Sequence, residues 1–413
     1  MIKCMKKELT IINQFFPPDY AATGQLLFEL SNFLKENGYK VYVFTTSNKY
    51  AFGNQNFSGE ESIYQENIKR SKLSNFWPKK FYGRIINSLI FCLSSTLKII
   101  SQKSKNSLVI ITTEPPFMAL FIALIYKVFK INYIYIIYDL YPDVITKQKL
   151  LNKNNIIIKI WRFLNNQAIK NSKKAVVLSS DIKNMIIKSK YIQKDKIQII
   201  PSWADHKKIK PIKKNKNKFC IKNNLVNKFV ILYSGNQGKF HDLKTILKSA
   251  KYLYRNNYCK NIVFLFIGNG KQNASLKDYS KKNNLKNCIF LPYQKYCDLG
   301  ETLTSADIAL ISINSMASGV VAPSKLYGHL AAGTSIGIIS PSNSYLKDIV
   351  ENAKCGKWFD NGDYKSLAKW ILSMKIEKNK CTELGRNSRK YLIKKASREK
   401  ILKVYERLIF SFI

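Results

Sequence analysis

The chain has 413 residues, 46% of them hydrophobic, which excludes a disordered chain and favours two domains over one. Its eight cysteines form no Cys-x-x-Cys pair and it has only three histidines, which argues against a disulfide framework and a zinc site and suits a reducing cytoplasm. Its net charge of +43 favours polyanionic partners, although only eight of its 69 basic residues are arginines, and abundant lysine, asparagine and isoleucine are also what an AT-rich genome encodes.

The first half of the chain alternates strand and helix patterns, which is typical of an α/β protein with parallel sheets. Strands are predicted at 9–16, 39–46, 108–113, 132–140, 174–180 and 197–203, and helices after Gly24, at 82–102, from Pro116 and at 155–171. Residues 47–80 have no period and are interpreted as a long loop. A membrane span needs roughly 18–20 apolar positions. The apolar stretch 81–100 contains too many polar residues for this, and the stretch 116–130 is too short. They are interpreted as core-facing or membrane-surface helices.

A second alternating series begins after residues 205–228, a charged stretch with Pro211 that is interpreted as an interdomain connection. Its strands are predicted at 229–235, 262–270, 288–293, 307–313 and 335–340. We therefore predict an N-terminal domain over 1–204, a C-terminal domain over 229–395, and a closing helix over 396–413 that packs back on the N-terminal domain. Two similar α/β halves imply a cleft, lined by the loops that follow strands.

The stretch SGVVAPSKLYGHLAAG, residues 318–333, predicts a site for an anion. Pro323 suits a helix start, and Lys325 falls in the first turn, where the helix dipole disfavours a cation. No Asp or Glu occurs between Asp307 and Asp348 to neutralise this lysine. Ser324 and Lys325 therefore indicate a phosphate or pyrophosphate as the missing partner.

Two other loops after strands could approach an anion. Gly235, Asn236 and Gly238 form a glycine-rich turn suited to a pyrophosphate, with His241 nearby either as a ligand contact or in a structural role. Gly24 heads a helix after the first strand and marks either an anion site or a plain turn. The glycines of residues 267–270 are interpreted as turning the chain.

Two carboxylates follow buried strands of the first half. Asp139, at the end of YIIYDL, is a candidate base or an acceptor for a sugar hydroxyl, or alternatively the N-cap of the next helix. Glu114, in TTEPPF, occupies an equivalent position and is a second candidate.

In order and spacing, these stretches resemble glycosyltransferase family 4, most closely the bacterial polysaccharide-assembly enzymes of the fucosaminyl and colanic-acid type. The likeness covers almost the whole chain. The matching stretches are QFFPPDYAATGQLLFELSNFLKENGYKVYVFTT, YDLYPDV, VVLSSDI, IIPSWAD, YSGNQG, FIGNG, LPY, SADIAL and APSKLYGHLAAG.

The resemblance implies the GT-B fold, two Rossmann-like domains facing across a cleft, and transfer of a sugar from a UDP- or GDP-type donor with retention and without an essential metal or other cofactor. The implied diphosphate contacts are Gly235, Asn236, Gly238, His241, Ser324 and Lys325. The implied neighbours of the base and donor sugar are Gly24, Pro292, Tyr293 and Gly319. Asp139 and Lys325 are the implied catalytic residues.

The chain departs from the family pattern at several of these positions. The two glutamates that the family places eight residues apart read Val320 and Gly328 here, an Arg and a Lys read Asn236 and His241, and a cleft histidine reads Tyr138 or Asp139. A non-catalytic homologue that binds a sugar nucleotide or a protein partner is therefore an alternative. A sugar-nucleotide epimerase is a weaker one, because it would need more cleft histidines than the chain has.

The expected acceptor is a lipid-linked saccharide of cell-surface polysaccharide synthesis. A cytoplasmic enzyme that visits the anionic inner face of the plasma membrane would fit the lysine excess and the apolar helix at 82–102. A nucleic-acid partner is not expected, because no RNA- or DNA-binding signature accompanies the charge.

Overall fold

A computed structural model describes residues 7–19, 21–46, 67–71, 81–101, 108–188, 192–258 and 260–413. The chain folds into two compact units. Unit 1 takes the chain up to Pro201 together with Gly319–Ala322 and Ile401–Ile413. Unit 2 takes Ser202–Ser318 and Pro323–Lys400.

Unit 1 contains a seven-stranded parallel sheet in the order β3-β2-β1-β4-β5-β6-β7. The strands are β1 (Glu8–Ile12), β2 (Lys40–Thr46), β3 (Ile68–Ser71), β4 (Leu108–Thr112), β5 (Tyr133–Ile137), β6 (Lys174–Val177) and β7 (Ile197–Ile199). Every residue of β4 and β5 is buried, as expected of central strands that have both faces covered.

The helices of unit 1 lie between successive strands, apart from the helix that closes the chain. They are α1 (Ala22–Glu36), α2 (Phe81–Ser101), α3 (Met118–Phe129), α4 (Asp143–Lys147), α5 (Ile156–Asn171), α6 (Ser180–Ile187) and the closing helix α15 (Arg398–Phe410), which belongs to this unit from Ile401 onward. Crossovers between parallel strands are right-handed. The connection from β1 to β2 runs in one direction along the sheet and those from β3 through β6 in the other. Therefore α2, α3 and α5 share one face and α1 lies on the opposite face.

Unit 2 repeats this strand order in a six-stranded parallel sheet, β10-β9-β8-β11-β12-β13. The strands are β8 (Phe229–Ser234), β9 (Ile262–Ile267), β10 (Cys288–Leu291), β11 (Ile308–Ser312), β12 (Ser335–Ile339) and β13 (Gly356–Phe359). The helices are α7 (Lys218–Lys222), α8 (Leu243–Arg255), α9 (Asn273–Lys282), α10 (Leu299–Thr304), α11 (Lys325–Ala332), α12 (Tyr345–Asn352), α13 (Tyr364–Ile376) and α14 (Lys378–Lys395). Aromatic and aliphatic side chains of β8, β9, α8 and α13 form its core, among them Tyr233, Phe264 and Trp370.

The prediction of two Rossmann-like α/β units is confirmed by both sheets. Within residues 47–80, predicted as a loop, the structure describes only 67–71 and finds the edge strand β3 there, while the rest of that stretch lies outside the described residues. The sequence IKRS of β3 lacks apolar alternation because it pairs on one side only, with β2.

Residues 205–228, predicted as a connection, pack inside unit 2. Asn217 caps α7 and donates its side-chain N–H to Glu301 O at 2.8 Å, while Phe219 and Cys220 are buried. The lysines of this stretch are solvated around a small apolar contact, and that contact is too short to show as a periodic pattern in the sequence.

Candidate active site

The loops after β8 and β11 meet at the switch point of the unit 2 sheet. β8 continues through α8 to β9 on one side of the sheet, whereas β11 continues through α11 to β12 on the other. Loops that diverge in this way leave a crevice at the carboxyl ends of parallel strands, where such sheets bind ligands. Lys325, the first residue of α11, lies against Gly235, the first residue after β8.

Among the described residues, the ammonium of Lys325 is held by a tyrosine and not by a carboxylate. Lys325 Nζ donates to Tyr233 Oη at 2.6 Å, and Tyr233 Oη donates to the backbone oxygen of Asn236 at 2.8 Å. Loss of hydration on burial lowers the pKa of Lys325 to about 7. The protein therefore holds this cation in a place where an incoming anion would stabilise it.

Gly235 makes the approach of Lys325 possible. A Cβ at this position would lie 3.2 Å from both Cε and Nζ of the lysine, and the backbone φ of +121° is one that other residues rarely adopt. Behind it, Gly268 at φ +126° packs so closely that a side chain there would collide with Gly235 O. The stretch 267–270, predicted only to turn the chain, thus supports the glycine-rich loop from below.

Three carbonyl groups of the loop are already paired within the unit, those of Gln237, Gly238 and His241. Gln272 Nε2 donates to Gly238 O at 2.6 Å and to His241 O at 3.0 Å, and Gln272 N donates to Gln237 O at 3.0 Å. Within the described part of the chain, the backbone N–H groups of Gly238 and Lys239 have no protein acceptor. Two backbone donors beside a glycine turn suit a phosphate oxygen.

Two neutral imidazoles flank Lys325. His241 Nδ1 lies 2.6 Å from Ser312 O, which assigns the ring proton to Nδ1 and leaves a lone pair on Nε2. Burial, together with the charge of Lys325, lowers the pKa of His241 to about 3, and the same two causes lower the pKa of His329 to about 3. His329, one turn further along α11, is fully buried and neither ring nitrogen has a partner in the described part of the chain. In this state His241 offers no proton to an anion.

The residues predicted near the donor base follow β10 at the same edge of the sheet. Tyr293 is 37% exposed, and its Oη lies 3.4 Å from Asn269 O, so that its ring edge covers Gly268. Pro292 precedes it. An exposed aromatic face at this edge is suited to stacking against a planar ring.

In unit 1, Glu114 follows β4 and meets the start of α1. Thr23 Oγ1 donates to Glu114 Oε2, and Gly24 lets α1 approach the loop after β1, because a Cβ there would lie 3.0 Å from Phe15 C and O. Burial raises the pKa of Glu114 to about 8; the hydrogen bond from Thr23 opposes this and the charge of Asp139 adds to it. Glu114 is therefore neutral at neutral pH.

Asp139 follows β5, the neighbouring strand, and is partly buried. The N–H groups of Tyr138 and Asp139 both donate to Thr113 Oγ1 at 3.2 Å, and Asp139 forms a β-bridge with Val321. Burial raises the pKa of Asp139 to about 6. The alternative role as an N-cap is wrong, because Pro142 occupies the N-cap of α4.

Glu114 and Asp139 thus have different pKa values. At neutral pH Glu114 holds a proton that it can donate, whereas Asp139 is mostly ionised and can accept one. A pair of carboxyls separated in this way is suited to acid–base work and to holding sugar hydroxyls.

The positions that lack the family glutamates are filled in the structure. Val320 is fully buried in unit 1 and its carbonyl accepts the N–H of Leu140 at 2.8 Å. At Gly328, on α11 of unit 2, a Cβ would lie 3.0 Å from Leu303 Cδ1, so that a side chain there would displace this leucine. Gly319, at φ +74°, packs against Met185 of α6 within unit 1.

The sequence-predicted residues therefore divide between the units. Unit 2 brings together the loop after β8, the start of α11 and the residues after β10, namely Gly235, Asn236, Gly238, His241, Pro292, Tyr293, Ser324 and Lys325. Unit 1 holds Gly24, Asp139 and Gly319. The described residues contain no group of three or more His, Cys, Asp or Glu side chains that could hold a metal ion.

Sequence reasoning missed the side chains that position this site. Tyr233 lies within a buried apolar strand and its hydroxyl gives no sequence signal. Gln272, Thr23 and Thr113 act through backbone or side-chain hydrogen bonds between distant segments. His329 carried one available signal, since it lies four residues after Lys325 and so on the same side of a helix.

The raised pKa of Glu114 predicts the sign of a stability change. A carboxyl whose pKa rises on folding, here from 4.5 to about 8, stabilises the fold below pH 4.5, and this stabilisation is lost as pH rises through 8. Glu114→Gln should therefore gain in melting temperature relative to the native protein, by on the order of a few degrees, between acidic pH and pH 8. Thermal melts across this range test it, with the exposed Glu383→Gln as control. A difference between Glu114→Gln and the native protein that stays constant with pH would contradict the buried neutral carboxyl.

Comparison with known families covers both halves of the chain. Residues 23–208 match the model described as Glycosyltransferase Family 4, and residues 213–391 match that described as Glycosyl transferases group 1. Together these models account for nearly all of both units.

Three relatives have names that describe glycosyltransferases. The probable glycosyltransferase WbjE of Pseudomonas aeruginosa is 24% identical over 280 residues, 67% of this chain and 68% of WbjE. The putative colanic acid biosynthesis glycosyl transferase WcaI of Escherichia coli strain K12 is 31% identical over 125 residues, 30% of each chain. The UDP-Gal:alpha-D-GlcNAc-diphosphoundecaprenol alpha-1,3-galactosyltransferase of Escherichia coli is 28% identical over 141 residues, 34% of this chain and 36% of the enzyme.

Solved structures share the fold over the full length. Sucrose-phosphate synthase of Thermosynechococcus elongatus superposes with a TM-score of 0.74 at 13% identity, covering 98% of this chain and 100% of that one. Anabaena Alr3699/HepE, solved in complex with UDP and glucose, gives 0.73 at 11% identity with the same coverage. The two family models, over residues 23–208 and 213–391, show that the chain belongs to glycosyltransferase family 4 and is a sugar-transferring enzyme, and the solved structures show that it has the GT-B fold.

Proposed function

We propose that this glycosyltransferase moves a sugar from a nucleoside-diphosphate donor of the UDP or GDP type to a lipid-linked saccharide in cell-surface polysaccharide synthesis. The reaction proceeds with retention and without an essential metal or other cofactor, in the cytoplasm at the inner face of the plasma membrane. The names of WcaI and of the diphosphoundecaprenol galactosyltransferase support the pathway and the lipid-linked acceptor, and the UDP complex of HepE supports the donor.

The cation without a carboxylate partner at Lys325 carries this proposal. A departing nucleoside diphosphate develops negative charge, and donors fixed in advance at that place stabilise it without reorganising. Lys325 Nζ and the N–H groups of Gly238 and Lys239 are such donors, and Ser324 adds a hydroxyl beside the helix start. Lys325 takes the main electrostatic role, since His241 is neutral here.

The carboxyls of unit 1 supply the other half of the chemistry. Asp139, ionised at neutral pH, accepts a hydrogen bond from the acceptor hydroxyl or supports the positive charge that develops at the sugar carbon. Glu114, neutral and bonded to Thr23, is a proton donor for a sugar oxygen. The acid-and-base division follows from their pKa values rather than from their position in the sequence.

A non-catalytic binder of sugar nucleotides is the second candidate, favoured by Val320 and Gly328 where the family pattern has glutamates. It predicts nucleotide binding without transfer. Turnover of a panel of nucleotide sugars on lipid-linked acceptors separates the two candidates, because only an enzyme releases free nucleoside diphosphate in proportion to glycosylated product.

Lys325→Glu should abolish binding of UDP and GDP, because it places a second anion where the diphosphate goes. Lys325→Met removes only the charge and should weaken binding by about 10- to 100-fold, the typical value of a charge-assisted hydrogen bond. Isothermal calorimetry measures both, with Lys369→Glu, an exposed lysine of α13, as control. A native protein that binds neither nucleotide would refute the donor site.

Nucleotide binding should also take up a proton. The bound diphosphate raises the pKa of Lys325 above the value of about 7 that it has in the protein without nucleotide, so affinity falls by up to about tenfold per pH unit as pH rises above 7. The phosphates are already ionised in that range. Calorimetry in buffers of different ionisation enthalpy measures the proton uptake, and Lys325→Met should remove it. Equal proton uptake by that variant would assign the effect to another group.

Asp139→Asn should lower the transfer rate by about 10²- to 10⁴-fold and leave the affinity for UDP unchanged. The reason is that the amide cannot accept a proton, whereas the donor contacts lie in unit 2. Single-turnover transfer assays and calorimetry test the two readouts, with Asp195→Asn, an exposed carboxylate of unit 1, as control. Unchanged transfer in Asp139→Asn would remove this residue from the mechanism.

A further inference from the structure

Helix α2 turns a row of apolar residues to the outside, while its buried side mixes polar residues with Phe91, Cys92 and Ile99. Its apolar residues at three- and four-residue spacing, Ile86, Leu89, Leu93 and Leu97, are exposed, and Leu97 is exposed to 60%. Its polar residues Asn87, Ser88, Ser95 and Thr96 are buried on the opposite side. A helix on a water-exposed sheet normally turns its leucines inward.

α3 and α5 also expose apolar residues, although their buried sides are mostly apolar as well. α3 packs against both α2 and α5, and all three helices lie on one face of the sheet. On α3, Leu124 and Val128 are exposed, the valine to 75%. The exposed apolar residues of α5 are Ile156, Ile157, Ile160 and Phe163. These ten residues define the α2–α3–α5 face, a larger cluster of outward-facing apolar side chains than scattered surface exposure produces.

The charge of this face has one sign. None of the three helices contains an Asp or Glu. Exposed cations lie among and beside the apolar residues, namely Arg84, Lys127, Lys130, Lys153 and Lys159. An apolar stripe bordered by cations complements a surface that is anionic outside and hydrocarbon within.

We propose that the α2–α3–α5 face docks unit 1 on an anionic phospholipid bilayer, with the ten apolar side chains entering the headgroup boundary and the cations meeting lipid phosphates. The inference deepens the proposed function and rests on it only in that a lipid-linked acceptor brings the enzyme to a membrane. A second copy of the chain is a poorer occupant, because a symmetric dimer would set this cationic face against itself.

The face lies on the membrane rather than crossing it. α2 is the one helix among the described residues that is long and apolar enough to span a bilayer, over Tyr82–Ser101, and 44% of that stretch is buried within the fold. It is the crossover between β3 and β4, and Phe91 stacks on Phe44 of β2 with ring centroids 5.5 Å apart. If α2 spanned the bilayer, the sheet of unit 1 would lose the cover that this helix provides. The side of α2 that carries hydroxyl groups, which is buried in the fold, would then face lipid.

The test measures sedimentation of the full chain with vesicles of phosphatidylglycerol and phosphatidylcholine, without nucleotide or acceptor. We expect binding that weakens with salt and is lost on vesicles of phosphatidylcholine alone. Leu89→Glu with Leu93→Glu should weaken binding by about tenfold for each leucine removed from the bilayer. Lys127→Glu with Lys159→Glu should weaken it by about fivefold per lysine or more and flatten the salt dependence.

Control variants carry substitutions of the same type on unit 2. Ile376→Glu removes an isoleucine exposed to 81%, and Lys369→Glu with Lys378→Glu reverses two exposed charges. These variants should bind vesicles like the native protein, and thermal melts verify that every variant is folded. If the unit 2 variants lost vesicle binding to the same extent, net charge would explain the effect and the proposal would be overturned. A native protein that does not sediment with the vesicles would also overturn it.

Two further outcomes separate this inference from the others. If the native chain is dimeric by analytical ultracentrifugation, and the α2 variants are monomeric yet still bind vesicles, the face is a contact between copies and the proposal fails. Transfer to a water-soluble acceptor analogue reports on the proposed function alone. Vesicle binding without any transfer would refute that function and leave the docking face standing, and the reverse result would refute only the docking face.

Discussion

The candidate site of unit 2 depends on one constraint. The ammonium of Lys325 is held at the start of α11 with no carboxylate partner among the described residues. The cation is tolerated because Tyr233 accepts its hydrogen bond and because Gly235 has no side chain to displace it. Burial of the ammonium is unfavourable and lowers the pKa of Lys325. Burial and the lysine charge also lower the pKa values of His241 and His329, which stay neutral. A fold that needed only stability would replace such a group by an apolar side chain. We propose that an anionic ligand supplies the counter-charge for this lysine at the switch point of the parallel sheet.

In unit 1 the corresponding buried groups are acidic rather than basic, so burial raises their pKa values instead of lowering them. Glu114 and Asp139 follow neighbouring strands, and neither has a basic partner among the causes of its raised pKa. Two carboxylates in partly buried positions cannot both ionise at low cost, so one keeps its proton. The hydrogen bond from Thr23 and the pair of N–H groups anchored on Thr113 fix the backbone and side chain positions around them. Each unit thus holds unneutralised groups at the carboxyl ends of its strands, where a substrate can supply the missing charge or proton acceptor.

The fold was largely predictable because buried parallel strands are written as continuous apolar runs, and the loops after them as glycine or short polar residues. Lys325, Gly235 and Asp139 could be named for the same reason. β3 could not, because an edge strand with the sequence IKRS has no hydrophobic signature. Tyr233 escaped because its ring belongs to the core and only its hydroxyl to the site. His241 was predicted either as a phosphate contact or in a structural role, and the sequence could not show that its ring donates a proton to Ser312 O, 71 positions along the chain. Contacts between distant segments decide protonation, and a single sequence does not encode them locally.

The net charge of +43 does not by itself distinguish compositional drift from a binding surface. The positions of the exposed residues distinguish the two. Drift toward lysine would scatter cations over the whole surface without regard to the apolar residues beside them. It does not explain why the three helices on one face of unit 1 lack acidic residues while turning leucine, isoleucine and phenylalanine outward. Buried hydroxyl groups on α2 add a second discrepancy, since Ser95 Oγ has no partner in the described part of the chain. A helix selected only to cover the sheet would turn its leucines inward, beside the buried Phe91 and Ile99. The outward apolar residues are therefore a property of this face rather than of the composition, and a lipid boundary is an environment in which outward leucines and neighbouring lysines are both stabilised.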